Sequence, residues 1–356
     1  MSKVEVEIDR ITVAIASYQR RESLLRLVRA LPAEIDRVRA LGAKPRVVVV
    51  LDGSTDGSAE ALRDVRAPFE LEVLWQPNRG LASARNLGLA AAQGGLVLFL
   101  DDDLLPSPGL IARHYLAHRR DNSGHVLIGP CKPVGLAELT PTWLSWWSRH
   151  HAELCRSGRV ERFDQVTVAN ASGPADLFVN VGGFDETFVA YGIEDYELGV
   201  RLLRRGILIN YDDHAVAWHV HQESEFTAIA RQRSIGRNSV RLVERHPELV
   251  DEVFPERTPG KVISMVASLP LWSPRSLAAL SWVASRLILR HKWALCGRAN
   301  LAHRIAYRAS FAAGVAEAGP QYLARVLYGR TGYHDPWRDR HNSVTRPRRS
   351  DPTISR

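Results

Sequence analysis

Apolar runs of strand length alternate with stretches of helical periodicity along the first hundred residues. "ITVAIASY" (11–18), "RVVVVL" (46–51), "ELEVLW" (70–75) and "LVLFL" (96–100) are rich in β-branched and large aliphatic residues. Helical stretches open near Arg20, Ser58, Leu81 and Gly109. This alternation predicts an α/β fold, a parallel sheet with crossover helices. Each run ends in a polar or acidic patch, "SYQRRES", "DGSTDGS", "QPNRG" and "DDD". Four loops are therefore expected on one edge of the sheet, the carboxyl edge where open α/β sheets bind ligands.

After about residue 125 the pattern loosens into a strand candidate, "HVLIGP", and a Trp-rich helix candidate, "PTWLSWWSRHHAELC", whose Trp143, Trp146 and Trp147 at helical spacing suit a core or interface, or stacking on a ligand. A glycine-punctuated segment, "VANASGPADLFVNVGGFDETF", leads into a helix expected to start near Glu194. Beyond Phe226 the pattern is mainly helical. The final "RPRRSDPTISR" has too little apolar content to fold.

Composition adds bounds to this picture. With 356 residues, 45% hydrophobic and 24% charged, there is room for a catalytic domain and a sizeable appendage. Cys131, Cys155 and Cys296 lack metal-ligand spacing and read as reduced thiols of a cytoplasmic protein. The opening residues lack the basic start, apolar centre and cleavage site of a secretory signal. The most apolar later stretch, "LAALSWVASRLILRHKWAL", contains Arg286, Arg290 and Lys292, which reads as an amphipathic or bundle helix rather than a spanning one.

The net charge of +8 is unevenly spread. Residues 1–225 hold 25 Lys/Arg against 30 Asp/Glu, whereas residues 226–356 hold 22 against 9, a balance of +13. The basic C-terminal third, with Trp272, Trp282 and Trp293 among its aliphatic residues, suits a peripheral contact with an anionic membrane surface. A soluble helical appendage is the alternative, and nucleic acid is the less favoured anionic partner.

The candidate chemistry lies at two strand ends. Asp52 ends an apolar run and is followed by Gly53, Ser54, Thr55 and Asp56, a turn and helix-cap signal. Some fifty residues on, Asp101-Asp102-Asp103 crowds three carboxylates against a buried strand. In an extended segment Asp101 and Asp103 would point to one side. Two oxygen donors there suit Mn²⁺ or Mg²⁺, which also takes oxygens from a diphosphate.

"TVAIASYQRRESL", "VVVVLDGSTDGS", "NRGLASARNLGLAAAQGGLVLFLDDDLLPSPG", "VGGFDETF" and "GIEDYELGVRLLRRG" occur in the order found in family 2 glycosyltransferases. The resemblance covers roughly residues 11–225 and implies a GT-A fold, a Rossmann-like mixed sheet with flanking helices, followed by a C-terminal helical region. The boundaries expected are a catalytic domain over 1–225, a basic helical region over 226–340 and a disordered tail over 341–356.

Several residue roles follow from the resemblance. Asp52 is expected on the nucleotide base or ribose, although the family often has two acids where this chain has Leu51-Asp52. Asn78 and Arg85 are expected near the nucleotide, with Asp101 and Asp102 on the donor side. Asp101 and Asp103 match the metal-binding pair, Asp103 being the more direct ligand. His221, ahead of His219, is the candidate third metal ligand. In "GIEDYELGVRL" the catalytic base is Asp195, with Glu194 second, because inversion needs a base across the sugar from the leaving nucleotide.

The activity implied is transfer of a sugar from a nucleotide-sugar donor, with UDP the favoured nucleotide, to a hydroxyl acceptor that the sequence does not identify. A nucleotidyltransferase is the chemical rival, but "ASYQRRESL" lacks the glycine-rich triphosphate loop such an enzyme needs. A non-catalytic module keeping the fold is the other.

Overall fold

The computed structural model describes residues 9–92, 94–134, 151–220, 225–254, 273–290 and 297–328. Four parallel strands, β1 (Arg10–Ser17), β2 (Lys44–Asp52), β3 (Glu70–Gln76) and β4 (Leu96–Leu100), form one half of a seven-stranded sheet. The sheet is completed by β6 (Val126–Ile128), β8 (Asn170–Pro174) and β9 (Ile209–Tyr211), in the order β3-β2-β1-β4-β8-β6-β9. A small second sheet joins β5 (Leu104–Pro106), β10 (Ala217–His219) and β7 (Cys131–Pro133).

The expected strands and helix starts agree with these elements to within two residues. The helices after the first four strands are α1 (Arg21–Ala30), α2 (Pro32–Ala40), α3 (Ser58–Arg63), α4 (Leu81–Ala91) and α5 (Leu110–Arg120). The sheet is mixed, as the resemblance implies, although the alternation of strands and helices over the first hundred residues shows only its parallel half. β8 runs antiparallel to both β4 and β6, and its sequence, Asn-Ala-Ser-Gly-Pro, carries no apolar alternation by which a strand is recognised. It is a strand because every residue of it is buried between two partners.

β4 is the centre of the molecule. All five of its residues are at most 1% exposed, and each fully buried large side chain contributes about 1.5–3 kcal/mol. Phe99 meets Phe178 and Phe184 edge-on, with centroids 5.3 and 5.4 Å apart. On the other face α5 inserts His114 and His118, both buried, against Ser172 and Asn170 of β8. His118 stacks on His125 at 4.4 Å.

Between β8 and β9 lie the short α6 (Ala175–Asn180) and α7 (Glu194–Arg204), and after β10 come α8 (Glu225–Arg245), α9 (Pro274–Arg290) and α10 (Gly297–Ala318). One apolar cluster joins Phe163, Phe188, Ile193 and Val200 to Ile235 and Val240 of α8 and to Phe311 and Val315 of α10. The core therefore runs through the expected boundary at residue 225. Among the described residues no helix is long and apolar enough to cross a membrane.

Candidate active site

The carboxyl ends of β1, β2 and β4 meet as expected. Ser17 Oγ donates to Asp102 Oδ2 at 2.6 Å, and Gln19 reaches the loop after β2 through Ser54 and Thr55. Asp52 is buried, and three donors converge on its carboxylate: Gln76 Nε2 at 2.7 Å and the backbone N–H groups of Arg79 and Gly80, both at 2.9 Å. It thus fixes the turn over residues 76–80. Asn78 is exposed on that turn, and its backbone leaves no room for a Cβ at Gly53, which has φ +76°.

The aspartate triplet is a turn, not an extended segment. Leu104 N–H donates back to the Asp101 carbonyl at 3.2 Å, so Asp101 and Asp103 do not share one side by strand alternation. Asp101 accepts from Arg85 Nη2 at 3.0 Å. Asp102 and Asp103 instead share Arg20, whose Nη1 lies 3.1 and 2.5 Å from them. Pairing of β10 with β5 sets His219 opposite Leu104, which brings its Nε2 to 3.3 Å from Asp103 Oδ2. His221 lies outside the described residues, as do Trp143, Trp146 and Trp147.

Across the site, α7 begins at Glu194 and points its first turn at the same centre. Arg85, 4% exposed, donates from Nη1 to Glu194 Oε1 at 3.1 Å and to Asp195 Oδ1 at 2.6 Å. Asp195 Oδ2 also accepts from the Val168 N–H at 2.9 Å. The Arg85 guanidinium rests 5.5 Å from the Phe184 ring centroid. One buried arginine thus ties Asp101 to Glu194 and Asp195, residues more than ninety positions further along the chain.

Charge in this site is unbalanced. Five carboxyl groups, Asp101, Asp102, Asp103, Glu194 and Asp195, face two guanidinium groups, Arg20 and Arg85, a formal excess of three negative charges if all ionise. Burial raises Asp102 to about 7 against the pull of Arg20. Burial, then the Asp195 charge, raises Glu194, and burial raises Asp195 against Arg85. Burial would raise Asp103 too, but His219 and Arg20 hold it well below the usual carboxylate range. Glu194 Oε2 is buried with no hydrogen-bond partner among the described residues.

These residues fit a divalent cation in part. Neighbouring ligands of an octahedral cation with bonds of about 2.1 Å lie about 3.0 Å apart, close to the 3.3 Å between Asp103 Oδ2 and His219 Nε2. Asp101 does not join them as they stand. Among the described residues the one group of three acidic or His side chains with all ligand atoms within 4.8 Å is the surface set Asp212, Asp213 and His214. A cation held by Asp101, Asp103 and His219 together therefore requires a side chain to turn.

Sequence reasoning assigned no role to Ser17, Arg20 or the Val168 N–H. Arg20 sits in the polar patch after β1, and its pairing with Asp103 depends on strand order, which no local pattern displays.

The family model for glycosyl transferase family 2 matches residues 12–162, the segment that holds Arg20, Asp52, Arg85 and the aspartate turn. Over that segment the chain is similar to glycosyl transferase family 2. A second model, the N-terminal domain of galactosyltransferase, matches residues 170–222, which include Glu194, Asp195 and His219.

Among curated relatives, validoxylamine A glucosyltransferase of Streptomyces hygroscopicus subsp. jinggangensis is 29% identical over 270 residues, 68% of this chain and 63% of that one. Pre-mycofactocin glycosyltransferase of Mycobacterium tuberculosis is 33% identical over 212 residues, 57% of this chain and 43% of that one. The chain thus spans less than two thirds of these relatives. The fold is GT-A: a mannosyltransferase from Pyrobaculum calidifontis, solved with GDP-Man and Mn²⁺, superposes with a TM-score of 0.53 at 18% identity, covering 87% of this chain and 86% of that one. Staphylococcus aureus TarS 1–349, solved with UDP-GlcNAc, gives 0.50 at 17% identity, over 88% and 92%.

Proposed function

We propose that this protein is an inverting, metal-dependent glycosyltransferase that moves a sugar from a nucleotide donor, a UDP-sugar, to an acceptor hydroxyl in glycan or glycoconjugate synthesis. The observation that carries the reading is the Arg85 bridge, which holds Asp195 on Nη1 and Asp101 on Nη2 of one buried guanidinium. Similarity to that family and the named activities of the relatives support it.

In this reading Asp195 is the base. Its Oδ1 is held by Arg85 and its Oδ2 by the Val168 N–H, and its raised affinity for protons makes it a stronger base than a solvated aspartate. The acceptor hydroxyl passes its proton to Asp195 as its oxygen attacks the anomeric carbon. The bond to the diphosphate breaks on the opposite face, so configuration inverts. Asp103 and His219, with Asp101 after a rotamer change, would hold Mn²⁺ or Mg²⁺, which neutralises charge on the leaving diphosphate. Asp52 serves the donor by shaping the turn over residues 76–80.

The domain reading places catalysis in residues 1–225 and a basic region over 226–340 on an anionic lipid surface at the cytoplasmic face of a membrane. Exposed Leu280, Trp282 and Val283 on α9 support that contact. The expected tail over 341–356 lies outside the described residues.

The test is a panel of nucleotide sugars assayed for released nucleoside diphosphate, with Mn²⁺ or Mg²⁺ and with Asp195→Ala as control. Water replaces a missing acceptor slowly, so the expected result is slow, metal-dependent hydrolysis of a UDP-sugar that the control lacks. Release of pyrophosphate from a nucleoside triphosphate, with no nucleotide sugar consumed, would move the assignment to a nucleotidyltransferase.

A further inference from the structure

The segment over residues 185–193, which delivers Glu194 and Asp195, contains a backbone conformation that nothing local explains. Ile193 has φ +79° and ψ −18° and is buried. A β-branched residue is rarely found there, and such a geometry persists only where its surroundings over-determine it. Gly192 before it has φ +87°, so two consecutive left-handed residues turn the chain into α7.

The surroundings come from α8. Its residues Arg231, Ile235, Asn238, Arg241 and Arg245 are spaced by four, three, three and four, which puts them on one face of the helix. The guanidinium of Arg231 lies 4.1 Å from the Tyr191 ring centroid. Ile235 is packed so closely that a Cβ on Gly192 would stand 3.2 Å from its Cγ1. Arg241 donates to the Thr187 carbonyl and covers the Phe188 ring at 5.8 Å. Arg245 Nε donates to Asp185 Oδ2 at 2.9 Å.

At the middle of that face is Asn238, 1% exposed. Its Nδ2 donates to the Gly192 carbonyl at 2.7 Å and to the Ala190 carbonyl at 3.0 Å, with the Tyr191 carbonyl at 3.5 Å. The opposite flank of the segment is closed by the turn that Asp52 organises. A Cβ on Gly80 would stand 2.7 Å from the Val189 carbonyl oxygen, and Arg79 pairs with Glu186 at 3.1 Å. The segment is therefore clamped between the donor-side turn and α8.

We infer that Asn238 is a positioning residue for the base: it pins the backbone of residues 190–192, holds Ile193 in its left-handed conformation and thereby fixes where Asp195 sits. The first helix of the basic C-terminal region is then a working part of the catalytic apparatus. This rests on the reading of Asp195 as base, and a misplacement of about 1 Å costs on the order of a hundredfold in rate.

The experiment uses the full chain with Asn238→Ala, which removes the donor, and Asn238→Asp, which sets a carboxylate against the same carbonyls. Three quantities are read: UDP affinity by calorimetry, amide hydrogen exchange over residues 185–197, and kcat with donor KM on whichever nucleotide sugar the wild type consumes. Expected are a tenfold or greater rise in exchange confined to that segment, a ten- to hundredfold loss in kcat that is larger for Asn238→Asp, and KM and UDP affinity within about twofold. An exchange pattern and kcat like those of the wild type would overturn the inference, as would kcat and KM falling together with the melting temperature. If the wild type turns over no donor, the glycosyltransferase reading fails while exchange still tests the clamp. If the Asn238 variants do not fold, Arg241→Ala and Arg245→Ala, which remove exposed grips on the same segment, take their place. A local rise in exchange then supports the clamp and an unchanged pattern refutes it.

Discussion

Three histidines buried behind β4 should make the fold acid-labile in a way one substitution can isolate. His114 is fully enclosed, its Nδ1 2.7 Å from Ser172 Oγ and its Nε2 3.1 Å from Asn170 Oδ1. Burial lowers its pKa to about 4, and burial also lowers those of His118 and His125. An unfolded histidine titrates near 6.5. The folded state therefore holds the neutral ring, and its stabilisation is complete above about pH 6.5. It is lost as pH falls toward 4, because the unfolded chain takes up protons first. A shift of about 2.5 units corresponds to about 3 kcal/mol in the limit, of which about 2 kcal/mol is lost between pH 7.5 and 5.

The wild-type curve alone does not isolate this contribution. Asp102, raised to about 7, binds its proton in the folded state first and so adds stability as pH falls over the same window. Comparison with His114→Asn removes that opposing part, because Asp102 is common to both proteins. Urea denaturation at pH 7.5, 6 and 5 should show the wild type losing about 2 kcal/mol more than His114→Asn over that range, whatever the variant's stability at pH 7.5. Parallel curves would mean that His114 is not a neutral buried group.

Asp195→Asn should lower turnover about a hundredfold to ten-thousandfold while UDP binding persists; activity within a few-fold of wild type, with a large loss in Glu194→Gln instead, would transfer the base role. UDP affinity measured calorimetrically should fall sharply with chelator and with Asp103→Ala, and His219→Ala should weaken it in the same direction; unchanged affinity in all three would remove the cation from this site. Full-length protein should co-sediment with anionic vesicles at low salt and lose binding as salt rises, since each engaged Lys/Arg adds about 1 kcal/mol. Serine at Leu280, Trp282 and Val283 together should weaken that binding, and indifference of the wild type to such vesicles would make the basic region a soluble appendage.

Much of residues 1–225 was legible in the sequence because its signals are local. Continuous apolar runs define β1, β2 and β4, glycine and acidic residues mark their ends, and the helix at Glu194 announces itself by an acidic first turn. The order of five motifs was enough to point to the family. What these signals cannot carry is any relation between distant segments. Asn-Ala-Ser-Gly-Pro became a central strand through pairing with β4 and β6, and the aspartate triplet became a turn rather than a strand end. His219 came beside Asp103 because β10 pairs with β5 across more than a hundred residues.

The C-terminal third makes the contrast plainest. Its pattern marked it as mainly helical and its composition as basic. Tertiary structure decided where part of the charge is engaged: Arg241 and Arg245 grip the segment before Glu194 and Asp195, and Arg233 and Arg237 pair with Glu317. A count of charges reads such residues as one electropositive field, whereas each guanidinium is a directional set of donors whose role depends on which carbonyl or carboxylate it meets. Periodicity along the chain records which face of a helix is buried, but the partner on that face is chosen by long-range packing, and that choice set α8 against the segment that leads into Glu194 and Asp195.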